Sequence, residues 1–218
     1  MSVTRTRAPV KRRAYDVAGR RAAAEHRRTA VLDAAWSQFS AHGYAATTVE
    51  AIASAAGVST ATVYKVHGGK VGIVRSLVTR ALAGDPKDEA SAETRSDRLR
   101  DRAADPRTLV EGWGALLAEV SPRVSPIVLL LRDVAGSDPA AADLFAEVEA
   151  DRLVRMADNA AALERRGGLR AGVTRATARD LLWAYTAPDL YDMLVRRRGW
   201  SVRRYSRFVT DAMVDGLL

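Results

Sequence analysis

The residues best equipped to do chemistry lie close together, between Thr47 and Lys70 (TTVEAIASAAGVSTATVYKVHGGK). Ser59, Thr60, Thr62 and Lys65 fall there within two helical turns. Short hydroxyls and a cation are the side chains that reach base edges and phosphates of duplex DNA. Between them run Ile52, Ala53, Ala56, Val58 and Val63, apolar at the spacing of two short helices. At Ala53, where the helices would cross, only a small side chain lets the backbones approach. Gly57 falls where a tight turn favours positive φ, and Val63 packs the second helix back onto the first. Two short helices joined at a glycine make a helix-turn-helix. An ordinary helical hairpin is the alternative, and the outward polar set weighs against it.

Charge supports the same reading. The chain has 218 residues and a formal net charge of +8, from 34 Lys/Arg and 26 Asp/Glu. Residues 1–80 hold 13 of the basic and 4 of the acidic residues, and residues 81–218 hold 21 and 22. A basic segment joined to a near-neutral one suits a polyanion-binding module on a differently employed body. A solvated basic tail is the plainer possibility.

The elements that must position this stretch read as helices throughout. Residues 1–24 lack a sustained apolar period and are expected to be a basic, flexible arm. Residues 25–83 form the DNA-binding domain. Its first helix carries Val31, Leu32, Ala35, Trp36 and Phe39 and ends at His42-Gly43. Thr47-x-x-Glu50 is a capping box for a second helix, Thr48 to Ala56. A third runs from about Ser59 to His67, and a fourth from Lys70 to about Ala83. Residues 84–105, polar throughout, are expected to be a linker. Residues 106–218 form a regulatory and dimerisation domain. There Pro122 and Pro126 are expected to open a new helix, Asp138-Pro139 another, Thr174 another, and Ser201 the last, with Pro188 kinking or breaking the one before it. The expected fold is all-α: a three-helix helix-turn-helix domain joined by a fourth helix to a C-terminal antiparallel helical bundle.

Other chemistries find little support. No cysteine is present, which excludes disulfides and thiolate chemistry. His26, His42 and His67 have no metal-ligand spacing with carboxylates, so neither metal nor cofactor is expected. Gly68-Gly69-Lys70 is not a phosphate-binding loop, because Tyr64 stands where its first glycine belongs and Val71 follows the lysine. The C-terminal half has no histidine for a catalytic triad, and no enzymatic activity is expected. No apolar run approaches the roughly 20 residues of a membrane span, and no secretory signal opens the chain, so a soluble cytoplasmic protein is expected.

The stretch AAWSQFSAHGYAATTVEAIASAAGVSTATVYKVHGGK resembles the signature of the TetR family of bacterial regulators. It has that family's helix, Gly-aromatic turn, Thr-Thr, Ile-Ala, Ala-Gly-Val-Ser, Tyr and closing Lys. The resemblance covers about Arg27 to Lys70. LERRGGLRAGVT, LLWAYTAPDLYDMLVRRRGWS and the final helix look more loosely like one branch's regulatory domain. The resemblance implies that Thr47 and Thr48 start the helix abutting a phosphate. It also implies that Thr60, Thr62, Tyr64 and Lys65 belong to the recognition helix and that Lys70 meets the DNA backbone. Tyr64 could equally be anchored in the small core. The sequence departs from the family at His67, where an aromatic such as Phe is usual. Gly72, in the first turn of the fourth helix, costs about 1 kcal/mol relative to Ala. A looser junction and a partly exposed His67 near phosphate are therefore expected.

The function expected is a sequence-specific, ligand-responsive repressor that binds a (pseudo)palindromic operator as a homodimer through its last two helices. A constitutive DNA binder without a small-molecule ligand is one alternative. A helical scaffold or enzyme whose basic arm binds RNA or membrane is another. Residues proposed for an effector pocket are Trp113, Arg132, Met156, Trp183 and Tyr185. The competing reading makes both tryptophans core and pairs Arg132 with a carboxylate.

Overall fold

The computed structural model describes residues 11–84 and 90–218, and every regular element among them is helical. Residues 1–10 of the expected arm and 85–89 of the expected linker lie outside the described residues. The chain forms two compact units that meet in sequence between Ile73 and Val74.

The first unit holds α1 (Lys11–Ala46), α2 (Val49–Ala55), α3 (Thr60–His67) and the start of α4 (Lys70–Ala83). Residues 11–24, expected to be flexible, are helical and continue into α1. Alanine and arginine favour helix without any apolar stripe, and that propensity is what a periodicity search overlooks here. α1 breaks at Gly43 (φ 76°, ψ 167°), as its sequence anticipates. Beyond the break Tyr44 turns inward and stacks on Phe39, ring centroids 5.5 Å apart. Val31, Leu32, Ala35, Phe39, Ile52, Ala53 and Val63 make this unit's core.

The second unit takes the rest of α4 together with α5 (Ala92–Arg102), α6 (Pro106–Ala135), α7 (Pro139–Arg165), α8 (Arg175–Tyr185), α9 (Pro188–Tyr191), a π-helical turn (Asp192–Arg197) and α10 (Val202–Leu217). α6 is its spine, packed against α5, α7, α9 and α10, while α8 lies on α7 and α10. Gly114 lets α6 and α10 meet closely: a Cβ there would overlap the Thr210 side chain, and the Ser206 hydroxyl donates to the Gly114 carbonyl at 2.7 Å.

Two expectations change here. The polar segment 84–105 contains α5, capped by Ser91. Its buried face is small, Ala92 and Ser96, and its charges are spent across helices: Arg95 grips Glu119 (2.7 and 2.8 Å) and Arg100 donates to Asn159 (2.9 Å). A helix held by ion pairs does not announce itself by apolar periodicity. Pro122 and Pro126 open no new helix; both lie inside α6. Each removes one backbone hydrogen bond, and four residues apart they remove both from the same face. Burial of Ile127, Val128, Leu129 and Leu131 just beyond them offsets the cost. α6 is also long and apolar enough to cross a membrane, with a window of mean hydropathy 1.5, but its contacts are those of a core helix.

Candidate nucleic-acid interface and interior cavity

The recognition segment is built from its caps inward. Thr48, not Thr47, caps α2, its hydroxyl accepting from the Ala51 amide at 3.1 Å. Thr47 is buried, and its hydroxyl donates to the Gly43 carbonyl at 2.7 Å. The expected capping box is therefore not formed, since Thr48 caps onto Ala51, which has no side chain to reach back, and Thr47 is structural: its hydroxyl ties the break in α1 to the start of α2. Ser59 caps α3, accepting from the Thr62 amide at 3.2 Å, while its hydroxyl and that of Thr62 share a hydrogen bond of 2.8 Å. Val63 is 1% exposed and fixes the helix from beneath. On the outer side Ser59, Tyr64 and Lys65 are exposed and Thr60 and Thr62 partly so. The choice left open for Tyr64 falls to the surface, since its side chain is 52% exposed.

Lys70 is more engaged than a phosphate contact requires. Its ammonium donates to the carbonyls of Tyr44 (2.9 Å) and Thr47 (3.1 Å) and sits over the Tyr44 ring. Two of its three hydrogens thus clamp the turn between α1 and α2 to the first residue of α4. The junction expected to be loose is tight. A Cβ on Gly72 would overlap the His67 carbonyl oxygen, so the glycine is a close-approach residue and its low helix propensity is incidental. His67 is 8% exposed, an interior residue at the end of α3, and not the partly exposed group expected. Burial, and then the Arg28 guanidinium, hold its pKa below the usual histidine value, which keeps the ring neutral at pH 7. A groove beside this helix is lined by Arg27 and Arg28 of α1 together with Ser59, Thr62, Lys65 and Val66. The first helix thereby adds two guanidinium groups to the same basic face.

The second unit holds a partly open cavity of about 150 Å³. Its walls come from α4 (Val78, Leu82), α5 (Glu93, Ser96), α6 (Trp113 to Val128), α7 (Val148 to Asn159) and α10 (Met213). Of the five residues proposed from sequence, Trp113 and Met156 line it. Arg132 does not: it is paired with Asp189 and with Asp133 (2.8 Å) and faces a separate shallow pocket together with Trp183. Trp183 is 38% exposed, and Tyr185 packs against the bundle core. Arg132 follows an apolar run in sequence, but the helical turn carries it to the surface, where carboxylates meet it.

Sequence reasoning missed the polar groups of the cavity, Glu149, Arg152, Arg155 and Asn159. Arg152 is bidentate with Glu149 (2.8 and 3.2 Å), donates to the Trp183 carbonyl (2.6 Å) and the Thr186 hydroxyl (3.2 Å), and lies 4.6 Å from the Trp183 ring centroid. Arg155 pairs with Glu93. Glu149 and Arg152 stand three residues apart, a spacing that reads in sequence as an ordinary surface pair.

A capped, exposed polar helix braced on a three-helix core, followed by a separate helical bundle, defines a DNA-binding transcription regulator. Its helix-turn-helix segment, residues 31–77, matches the model of the tetR family of bacterial regulatory proteins. Solved structures share the fold of nearly the whole chain. The fatty acid degradation regulator FadR from Bacillus halodurans superposes with a TM-score of 0.68 at 15% identity, covering 87% of this chain and 95% of that one. SmeT, solved as a complex with triclosan, gives 0.68 at 21%, covering 88% and 91%. The TetR-family regulator PfmR from Thermus thermophilus gives 0.59 at 18%, covering 86% and 98%. No curated protein sequence matches the chain.

Proposed function

We propose that the protein is a ligand-responsive cytoplasmic repressor, without enzymatic activity, that binds a (pseudo)palindromic operator as a homodimer. The observation that carries the DNA reading is the outer face of α3. Ser59, Thr60, Thr62, Tyr64 and Lys65 stand outward on a helix whose inner residue Val63 is fully enclosed. Two such helices in a two-fold dimer would read half-sites roughly 34–36 Å apart. Thr48, exposed at the N-terminus of α2, is placed to meet a phosphate. The third hydrogen of Lys70 remains for another. A dimer through α8 and α10 is supported by Phe208, which is 43% exposed on the last helix.

The cavity supports a ligand-responsive protein over a constitutive one, because side chains do not fill it. α4 offers the link. Val78 and Leu82 line the cavity, and the same helix begins at Lys70, hydrogen-bonded to the turn before α2. A ligand preferring one position of Val78 and Leu82 would shift the population of DNA-competent dimers. The test is a mobility-shift titration with duplex DNA from upstream of the protein's own coding region. Wild type is expected to bind and a Thr62→Ala, Lys65→Ala double variant to lose specific binding. Equal binding by both would place the interface elsewhere.

A further inference from the structure

We infer that the cavity of the second unit takes an uncharged, compact and mainly apolar molecule and rejects carboxylates. This rests on the reading of the cavity as an effector site. Four ionised side chains line it, Glu93, Glu149, Arg152 and Arg155, and they sum to zero. More telling is how they are used. An arginine has five N–H donors. Those of Arg152 make four hydrogen bonds within the protein, two to Glu149, one to the Trp183 carbonyl and one to the Thr186 hydroxyl. Arg155 is held by Glu93. The carbonyl oxygen of Asn159 already accepts from Arg100, and the Thr186 hydroxyl donates to the Leu182 carbonyl at 2.8 Å.

A carboxylate entering this space would meet guanidinium groups whose partners are already carboxylates. In the interior it would have to displace Glu149, leaving that largely buried side chain unpaired, or remain unpaired itself among valines and leucines. Either is costly in an apolar interior. An uncharged molecule displaces nothing. Its apolar body meets Val120, Val124, Val128, Leu117 and Met213, and a single hydroxyl or carbonyl can meet the serines that line the α6 wall. Size sets the second limit. A cavity of about 150 Å³ suits a compact molecule better than an extended acyl chain, and an apolar cavity of similar volume in another protein accommodates benzene. The ligand class is therefore a one- or two-ring aromatic or a comparably compact alicyclic molecule, neutral at pH 7.

Calorimetric titration of the full chain with 2-naphthol, 2-naphthoate and decanoate at pH 7.5 tests this. 2-Naphthol is expected to bind at least ten times more tightly than either anion. Glu149→Gln frees Arg152 and gives the lining one net positive charge, so it should improve 2-naphthoate binding at least tenfold and leave 2-naphthol within twofold. Leu117→Trp and, independently, Val124→Trp fill the cavity and should abolish 2-naphthol binding in protein whose thermal unfolding remains cooperative. The inference is overturned if wild type does not bind 2-naphthol, if either anion binds as tightly, or if 2-naphthol survives both filling substitutions. DNA affinity measured alongside separates the two levels: tight, selective 2-naphthol binding that leaves DNA affinity unchanged overturns the ligand-responsive reading and leaves the ligand class standing.

Discussion

The ammonium of Lys70 lies 4.1 Å from the centroid of the Tyr44 ring and donates a hydrogen bond to the same residue's carbonyl oxygen. A residue at the start of one helix thus holds both the face and the backbone of a residue just beyond the break in another. Replacing Lys70 with Ala removes two charge-assisted hydrogen bonds and the cation–π contact, and should destabilise the N-terminal unit by about 1–3 kcal/mol. Thermal unfolding measures this. An unchanged melting curve would return Lys70 to a purely DNA-facing role.

Lys65 makes the contrast. It is exposed on α3 and makes no ion pair among the described residues. Lys65→Ala should leave stability within about 0.5 kcal/mol of wild type. On DNA it should reduce the magnitude of the slope of log K against log salt by about one unit, the signature of one lost phosphate contact. A slope identical to wild type would remove Lys65 from the interface.

Gly72→Ala sets two effects against each other. Helix propensity favours Ala by about 1 kcal/mol. The added Cβ would overlap the His67 carbonyl, which is backbone and cannot swing away. Sterics should win, with a net destabilisation of about 1–3 kcal/mol and weakened DNA binding, because α3 and α4 must move apart. Urea unfolding of the variant decides it, and a stabilised Gly72→Ala protein would show that the junction gives way.

His67 should make stability depend on pH. Burial and then Arg28 lower its pKa in the folded state. The unfolded chain therefore binds the proton more readily, and stability is complete above the ordinary histidine pKa of 6.5 and falls as pH drops from there through the lowered value. Unfolding of wild type and His67→Phe at pH 7.5 and 5.5 tests this. The variant should lose less stability on acidification, and equal losses would assign the effect to other groups.

Phe208 is exposed and stacked edge to face on Trp200, ring centroids 5.6 Å apart, with Arg204 over the same indole. If α10 forms the dimer, Phe208→Asp should shift the protein to monomer in sedimentation velocity and reduce operator affinity more than tenfold. A variant that remains dimeric would place the interface on other helices.

Local chemistry carried much of this molecule in its sequence. The break at Gly43, the caps at Ser59, Asp138, Thr174 and Ser201, and the buried Val63 all follow from residue type and spacing within one or two turns. What remained hidden depends on residues far apart in the chain. α5 is polar along its length and is helical because Glu119, Arg155 and Asn159, from other helices, complete its side chains. Gly72 looks like a weakness until the His67 carbonyl beside it is known. Arg132 and Arg152 are both arginines near apolar segments, and only the phase of their helices puts one outside and the other on the cavity wall.

The two prolines inside α6 have a dynamic consequence. Pro122 and Pro126 cannot donate, so the carbonyls of Ala118 and Pro122 lack their usual intrahelical partners, and Ser121, Val124 and Ser125 of the same stretch line the cavity. The longest helix of the second unit is thus least knitted together where it faces the cavity. Local unfolding begins where backbone bonds are fewest. Amide hydrogens around residues 120–126 should then exchange ahead of those near Leu109 or Leu131, and the same breathing would widen the way in for a small molecule.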